Sequence, residues 1–378
     1  MRCETLISFV LITISCNFAI ADCPSADLNG DCFIDFEDFA LMAAQWPNIY
    51  DYNDVNMLVA QWLTGYSNIP DDMVYIPGGD FEMGDHHEDG FYDELPLHAI
   101  LLESFFMSKF EITNQQYCDY LNSAYPVQLK VVSGIVFASY DDSNSYPYCD
   151  THSSDTDSQI DYSGGVFSVR TKGVRDMSDD PMVEVSWFGA VAYCNWRSSA
   201  EGYESCYNLT TCNCNFSKHG YRLATEAEWE YAARGGENSP YYRFSWGDTI
   251  NHNYANYYAN GIAYSYDTSP YTTNTFHPAW NDGIYPYTSP IGSFSANGYG
   301  LYDMTGNVRE WCNDCYDSTY YSTSPYDNPT GPVSGIYRVL RGGCWISNAG
   351  YCRVAYRNYY NPNTRHDRLG FRVVLDLN

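Results

Sequence analysis

Apolar side chains recur at helical spacing in only a few segments of this chain. Residues 33–46 and 49–62 repeat one pattern, in which apolar positions three and four residues apart lie on one face of a helix. These two helices are predicted to pack face to face, because neither would be stable alone. Three further helices are predicted after Thr113, Ser186 and Thr225, and the last of these begins with a capping box.

From residue 73 onwards, short apolar stretches alternate with segments rich in glycine, tyrosine, asparagine and aspartate. This composition predicts an α+β fold with much irregular structure. Residues 131–170 alternate β-prone segments with a loop rich in aspartate and serine, which indicates an inserted hairpin. The predicted organisation is a small two-helix appendage at 22–66, a polar linker at 67–72 and one large domain at 73–378.

The first 21 residues have the features of a secretion signal. Arg2 provides a basic start, Leu6–Ile14 an apolar run, and Ala19-Ile20-Ala21 a cleavage site. The apolar run is too short to span a bilayer, and no later segment is long and apolar enough to do so. We therefore expect a soluble, secreted or periplasmic protein that begins at Asp22.

The chain is strongly acidic, with 19 basic and 47 acidic residues and a net charge of −28. This charge argues against binding to nucleic acid or anionic lipid, because both need a cationic surface. Most of the 14 cysteines follow the predicted signal, and an oxidising compartment favours disulfides among them. Cys312 and Cys315 form a C-x-x-C pair, for which a structural disulfide or an incidental pair is favoured over a redox role.

A calcium-binding loop precedes the first predicted helix. Asp27, Asn29, Asp31, Asp35 and Asp38 provide oxygen ligands at the alternating positions that Ca²⁺ requires, and Phe33 offers its carbonyl. The loop resembles those of dockerins, which implies a cohesin-like scaffold protein as a partner of residues 22–66. Two features depart from that pattern: Cys32 replaces the turn glycine, and the second repeat lacks the first half of its loop.

Seven sequence blocks in the large domain occur in the order typical of one family. They are GGDFEMGD at 78–85, SKFEITNQQYCDYLN at 108–122, PMVEVSWFGAVAYCNW at 181–196, GYRLATEAEWEYAARGG at 220–236, NGYGLYDMTGNVREW at 297–311, RGGCWISNAGYC at 341–352 and RLGFRVV at 368–374. Together they resemble the formylglycine-generating enzyme (sulfatase-modifying factor) family. The resemblance implies an irregular α+β domain related to C-type lectins, with bound calcium. It also implies, in active members, one copper ion and O₂-dependent oxidation of a sulfatase cysteine within a C-x-P-x-R segment.

The resemblance implies two calcium sites in the large domain. One would use the carboxylates of Asp303 and Glu310 with the carbonyls of Gly306 and Val308. The other would combine residues of two segments: Asn256, Tyr257, Asp282 and Ile284. Turn-forming glycines and nearby acids suit a hard divalent ion. The alternative is that these acids pair with the arginines of the C-terminal segment.

The copper site of the family uses two cysteines five positions apart, and this chain has only one of them. Cys352 matches the second position, but Ser347 occupies the first. A hydroxyl cannot replace a thiolate as a ligand of Cu(I). Cys344 directly follows the RGG motif and offers a second sulfur if the chain turns back. Three possibilities remain open for Cys344 and Cys352: an altered copper site, a disulfide, or two unrelated structural cysteines.

The C-terminal segment concentrates basic and aromatic residues. Seven of the 19 basic residues lie there: Arg338, Arg341, Arg353, Arg357, Arg365, Arg368 and Arg372. They predict either a pocket for an anionic or peptide ligand or internal ion pairs that brace the fold. Two functional hypotheses follow. The chain is a secreted formylglycine-generating oxidase acting on a sulfatase or another peptide substrate, or it is a non-catalytic peptide- or glycan-binding module that uses Trp345, Tyr351, Tyr356, Tyr359 and Tyr360.

Overall fold

The computed structural model describes residues 70–236 and 241–376. The chain divides into two compact units, Met1–Asp71 and Asp72–Asn378. The signal, the helix pair and the calcium loop predicted within residues 1–66 lie outside the described residues and stay predictions. Across the described part of the chain, no helix is long and apolar enough to cross a membrane.

The second unit combines short strands with three helices among its described residues. The helices are α1 (Asn114–Ala124), α2 (Trp187–Ala200) and α3 (Glu226–Ala233). The strands are β1 (Met73–Ile76), β2 (Gly79–Met83), β3 (His98–Leu102), β4 (Phe105–Ser108), β5 (Leu129–Val132), β6 (Ile135–Ala138), β7 (Pro147–Asp150), β8 (Ile160–Ser163), β9 (Val166–Val169), β10 (Thr171–Lys172), β11 (Arg175–Asp176), β12 (Tyr207–Asn208), β13 (Asn213–Cys214), β14 (Gly220–Arg222), β15 (Arg309–Cys315), β16 (Arg338–Arg341), β17 (Asn358–Tyr360), β18 (Leu369–Gly370) and β19 (Val374–Asp376).

All three helices predicted in the large domain are confirmed, together with the residues that begin them. The hydroxyls of Thr113, Ser186 and Thr225 each accept a hydrogen bond from a backbone amide in the first turn of the following helix. Such side-chain caps satisfy amide groups that have no partner within the helix. Because this signal is local, it can be found in the sequence.

Two four-stranded sheets organise the domain. The first has the order β1-β4-β19-β14, so that the C-terminal strand β19 lies between β4 and β14. The second has the order β17-β16-β15-β18, in which β15 and β18 run parallel. Buried tryptophans fill the interior around them: Trp187, Trp229, Trp311 and Trp345. The predicted α+β architecture is confirmed.

The prediction of one inserted hairpin at 131–170 is wrong, because two separate β units form there. Strands β5, β6 and β7 make a three-stranded sheet, and β8 pairs with β9 in a second hairpin. The backbone turns sharply at Ser133-Gly134 and again at Gly164-Gly165, with positive φ at all four positions. Each such pair favours a two-residue hairpin turn, so the sequence holds two turn signals.

The C-terminal arginines form internal ion pairs, which supports the bracing interpretation. Within the core, Arg341 pairs with Glu226 and Glu230, Arg353 with Glu94, Arg357 with Glu226, and Arg372 with Glu310. Nearer the surface, Arg365 contacts Asp150, Arg368 contacts Asp367, and Arg338 stacks on Trp187. Planar guanidinium groups suit such sites because one side chain can satisfy several acceptors at once.

The expected disulfides are not formed among the described residues. All ten cysteines there are free thiols, including Cys312 and Cys315 of the C-x-x-C pair. Most of them are buried and pack as small apolar side chains.

Candidate functional site

The turn after β16 brings Cys344 and Cys352 into one buried region. Gly342 and Gly343 both have positive φ, at 90° and 75°, and reverse the chain before Cys344. A Cβ atom on Gly343 would lie 2.7 Å from the Cys352 sulfur and 2.6 Å from the Tyr351 carbonyl oxygen. Glycine is therefore required here both by conformation and by space.

Cys344, Ser347 and Cys352 contact one another inside the protein. The Cys344 sulfur lies 3.2 Å from the Ser347 hydroxyl oxygen, and the Cys352 thiol lies 3.9 Å from the Ser347 carbonyl oxygen. Both thiols are fully buried and neither forms a disulfide. Burial raises the pKa of the Cys352 thiol well above its usual range, and the neighbouring Cys344 adds to this effect. The Cys352 sulfur is thus held as a neutral thiol.

Arg309, at the start of β15, extends into this region. Its Nη2 group donates a hydrogen bond of 3.1 Å to the Ser347 hydroxyl. Its Nε group is buried without a hydrogen-bond partner, and no carboxylate within 4 Å pairs with it among the described residues. The core arginines of the C-terminal segment have carboxylate partners. Arg309 differs from them because its hydrogen bond goes to a hydroxyl. The sequence analysis missed it because it lies 38 positions before Ser347.

The residues at this site do not fit the copper site of the family. Cu(I) prefers the two thiolates that the family places five positions apart, whereas this site has the Ser347 hydroxyl in contact with the thiols of Cys344 and Cys352. The guanidinium of Arg309 adds a positive charge against the same hydroxyl. The hard hydroxyl of Ser347 and the positive charge of Arg309 both oppose the binding of Cu(I).

The residues of the first predicted calcium site lie in a buried, carboxylate-rich turn. Asp303 accepts a hydrogen bond from the Gly292 amide through one oxygen, and its other oxygen is buried without a partner. Glu310 is held by Arg372 at 2.7 Å, as the ion-pair alternative predicted for this acid. The amide of Gly306 donates to the Gly342 carbonyl, and that of Val308 contacts Glu111.

Glu111 is a member of this turn that the sequence analysis missed. Burial raises the pKa of Glu111 well above its usual range, and the charges of Asp303 and Glu310 add to the effect. Burial also raises the pKa of Asp303, to about 6. Three carboxylates thus share this space with the single guanidinium of Arg372. Such an excess of negative charge fits a divalent cation, which Asp303 and Glu111 would hold.

The residues of the second predicted calcium site already have contacts within the protein. The Tyr257 carbonyl contacts the His252 ring at 3.0 Å, and the Asn256 carbonyl accepts the Asn307 amide. Asp282 and Ile284 instead contact Lys172, a residue of β10 that the sequence analysis also missed.

Lys172 places an ammonium group where a bound cation was expected. Its Nζ lies 3.2 Å from the Asp282 carboxylate and donates to the carbonyls of Ile284 at 3.1 Å and Pro286 at 2.5 Å. The Lys172 side chain is almost fully buried. A lysine side chain therefore contacts the oxygens of Asp282 and Ile284 that were predicted to hold calcium.

Replacing Lys172 by alanine is expected to lower the free energy of unfolding by about 1–3 kcal/mol, because two carbonyls lose their donor. Calcium should restore part of this loss, since the vacated space retains the Asp282 carboxylate. Chemical denaturation with and without Ca²⁺ measures both effects. Lys218, which forms a surface ion pair with Glu204, is the control, and its replacement by alanine should change stability by less than about 1 kcal/mol. A Lys172→Ala protein as stable as the wild type would contradict the assigned contacts.

An aromatic surface lies next to the buried thiols. Phe91, Tyr351 and Tyr356 form it, with ring centroids 5.1 to 6.1 Å apart. Phe91 is 47% exposed, and Tyr356 interacts electrostatically with Arg309 below. Of the other aromatic residues predicted to line a groove, Trp345 is buried, and Tyr359 stacks on Tyr316. Phe91 was missed because it comes from a distant part of the chain.

Comparison with known proteins relates most of the chain to one group of domains. Residues 64–377 match the family model described as the sulfatase-modifying factor enzyme 1-like domain. The formylglycine-generating enzyme of Streptomyces coelicolor is 30% identical over 320 residues, which cover 80% of this chain and 88% of that enzyme. The serine/threonine-protein kinase pkn1 of Chlamydia caviae is 32% identical over 305 residues, or 80% of this chain. The chain spans only 38% of the length of that kinase.

Solved structures share the fold. PvdO from Pseudomonas aeruginosa is 25% identical with a TM-score of 0.52, and the match covers 80% of this chain and 94% of PvdO. Treponema denticola variable protein 1 is 23% identical with a TM-score of 0.54, over the same shares of the two chains. These similarities confirm the predicted irregular, C-type-lectin-like architecture.

Proposed function

The chain belongs to the sulfatase-modifying factor enzyme 1-like domain family, and we propose that it binds a peptide segment without oxidising it through copper. One observation carries the proposal. The Ser347 hydroxyl, which the family resemblance matches to the first copper cysteine, is hydrogen-bonded to Arg309. The site thus combines a ligand too hard for Cu(I) with a positive charge that repels it.

A peptide suits the aromatic surface of Phe91, Tyr351 and Tyr356. Aromatic faces provide large apolar contacts at low cost in conformational entropy. Asp89 pairs with Arg243, whereas the exposed Glu88, which precedes Phe91, adds a negative charge to this side of the protein. A basic residue in the ligand, such as the arginine of a C-x-P-x-R segment, would be attracted to it. The similarity to formylglycine-generating enzymes supports a peptide as the ligand class.

The wild-type protein is expected to bind a labelled C-x-P-x-R peptide and to produce no aldehyde from it with Cu(I) and O₂. Fluorescence anisotropy measures binding, and mass spectrometry detects the aldehyde. Replacing Phe91 by alanine should weaken binding about five- to tenfold, which corresponds to about 1–1.4 kcal/mol of lost aromatic contact. Val174, which is fully exposed on the β10–β11 turn, is the control, and its replacement by alanine should leave binding unchanged.

A double variant tests the inactivating role assigned to Ser347 and Arg309. Combining Ser347→Cys with Arg309→Met supplies the missing thiol and removes the opposing charge. This variant is expected to bind one more equivalent of Cu(I) than the wild type. Aldehyde formation by the wild type that disappears in Cys344→Ala would overturn the proposal and assign oxidation to the Cys344–Cys352 pair. Peptide binding unaffected by Phe91→Ala would reject the aromatic surface as the binding site.

A structural calcium ion at Asp303 forms part of the same proposal. The support is the partnerless carboxylate oxygen of Asp303 beside Glu111, together with the family resemblance. Calcium there would balance the buried negative charge at the start of β15, next to the turn that carries Cys344.

A further inference from the structure

One carboxylate oxygen of Glu184 is buried without a hydrogen-bond partner. The residue is 2% exposed, and its Oε2 atom contacts no donor among the described residues. Its backbone has a φ of 55°, a conformation that non-glycine residues adopt uncommonly. An unpaired buried carboxylate costs considerable free energy unless a cation or a proton compensates it.

Backbone hydrogen bonds hold Glu184 between two other segments. Its amide donates to the His366 carbonyl, and its carbonyl accepts from the Asp150 amide, both at 3.0 Å. As a result, ligand atoms of Glu184, His366 and Asp367 all lie within 4.8 Å of one another. Three segments far apart in the sequence thus meet at one point just before α2 begins.

Negative charge accumulates around this point. Burial raises the pKa of Glu184 to about 9, and the charges of Asp155, Asp150, Asp367 and Asp157 contribute. Two guanidiniums offset part of this charge. Arg365 contacts Asp150 at 2.6 Å, and Arg368 lies 3.5 Å from Asp367. Four aspartates around Glu184 against two guanidiniums leave an excess of negative charge that suits a divalent cation.

We propose that Glu184 and Asp367 bind a calcium ion, with Asp155 and Asp157 at the rim of the site. The donors are carboxylate oxygens, which Ca²⁺ prefers. Asp155 and Asp157 are half-buried, so that an ion can enter from solvent. This site uses none of the residues assigned to the Asp303 site.

His366 does not turn this cluster into a zinc site. Its Nδ1 contacts the Asp367 carboxylate and lies 3.1 Å from the Nε of Arg368, and its Nε2 lies 2.7 Å from Nη2 of Arg368. Both ring nitrogens are therefore engaged, whereas zinc would need at least one of them free. The unpartnered Oε2 atom of Glu184, with the Asp367 carboxylate beside it, is then the ligand group that the site offers, and carboxylate oxygens favour the hard calcium ion.

A bound ion would have a structural effect near the buried thiols. The indole of Trp345 donates to the Asp367 carbonyl at 3.0 Å, and Trp345 directly follows Cys344. Calcium at Glu184 would thereby stabilise the position of residues 365–368, which contact the turn that carries Cys344 through Trp345. This role is independent of whether the aromatic surface binds a peptide.

The full chain is expected to lose one equivalent of bound Ca²⁺ when Glu184 is replaced by glutamine. Glutamine keeps the size of the side chain but removes the charge. Equilibrium dialysis followed by elemental analysis counts the calcium ions bound per chain. The difference between the wild type and the variant reports on this site even if other calcium sites are occupied. Asp119, exposed on α1, is the matched control, and Asp119→Asn should retain the full number.

Two further variants keep the test decisive. Asp303→Asn should remove a different equivalent, so that the double variant with Glu184→Gln loses two. If near-ultraviolet circular dichroism shows that Glu184→Gln is misfolded, Asp157→Asn at the rim should weaken the same site without burying a new group. Equal calcium content and affinity in the wild type and in these Glu184 and Asp157 variants would overturn the proposal. Binding of Zn²⁺ that excess Ca²⁺ does not displace would do so as well.

Discussion

Replacing Glu226 by glutamine is expected to lower the free energy of unfolding by about 3–5 kcal/mol, the usual cost of removing one partner from a buried ion pair. Glu226 begins α3 and is almost fully buried. Its carboxylate accepts from Arg357 at 2.7 and 2.8 Å and from Arg341 at 3.2 Å. Arg341 would keep Glu230 as a partner, but Arg357 would lose its carboxylate.

Urea denaturation of the variant and the wild type measures this loss. Glu204 is the matched control, because it pairs with Lys218 at the surface. Its replacement by glutamine should cost much less than the replacement of Glu226, since water replaces the lost partner. Equal effects at Glu226 and Glu204 would show that the internal ion pairs contribute no more than surface pairs.

Replacing Gly343 by alanine is expected to cost about 2–5 kcal/mol. The positive φ of 75° disfavours any residue with a Cβ atom, by about 1–2 kcal/mol. The added Cβ would also overlap the Cys352 sulfur and the Tyr351 carbonyl, which adds about 1–3 kcal/mol of overpacking. The shifted turn should make the Cys344 and Cys352 thiols accessible to alkylating reagents.

Gly164 separates the two contributions. Its φ is 60°, but a Cβ atom there would meet nothing within 4 Å. Gly164→Ala should therefore show only the conformational cost, about 1–2 kcal/mol. Thermal unfolding and mass-spectrometric mapping of alkylated cysteines test both variants. If Gly343→Ala costs no more than Gly164→Ala, the close contact with Cys352 does not constrain this turn.

Helix starts were predictable because a capping side chain and its amide partners lie within three residues of each other. The count of β units at 131–170 was missed although Ser133-Gly134 and Gly164-Gly165 were visible as turn pairs. The prediction treated the segment as one hairpin, whereas each pair reverses the chain separately. Disulfides were expected from the cysteine content alone. The number of cysteines does not determine which sulfur atoms the fold brings together, and the described cysteines are all free thiols.

The sequence by itself determined the family, the α+β class, the helix starts and the absence of a cysteine at Ser347. These features rest on local chemistry or on the order of sequence blocks. The tertiary structure decided which charge meets which oxygen: Lys172 at Asp282, Arg309 at Ser347, Glu111 beside Asp303, and Asp367 beside Glu184. In each of these four pairs the fold brings together residues that are at least 38 positions apart in the sequence. Electrostatic interactions depend on distance in space, and sequence spacing beyond one helical turn or hairpin does not determine that distance.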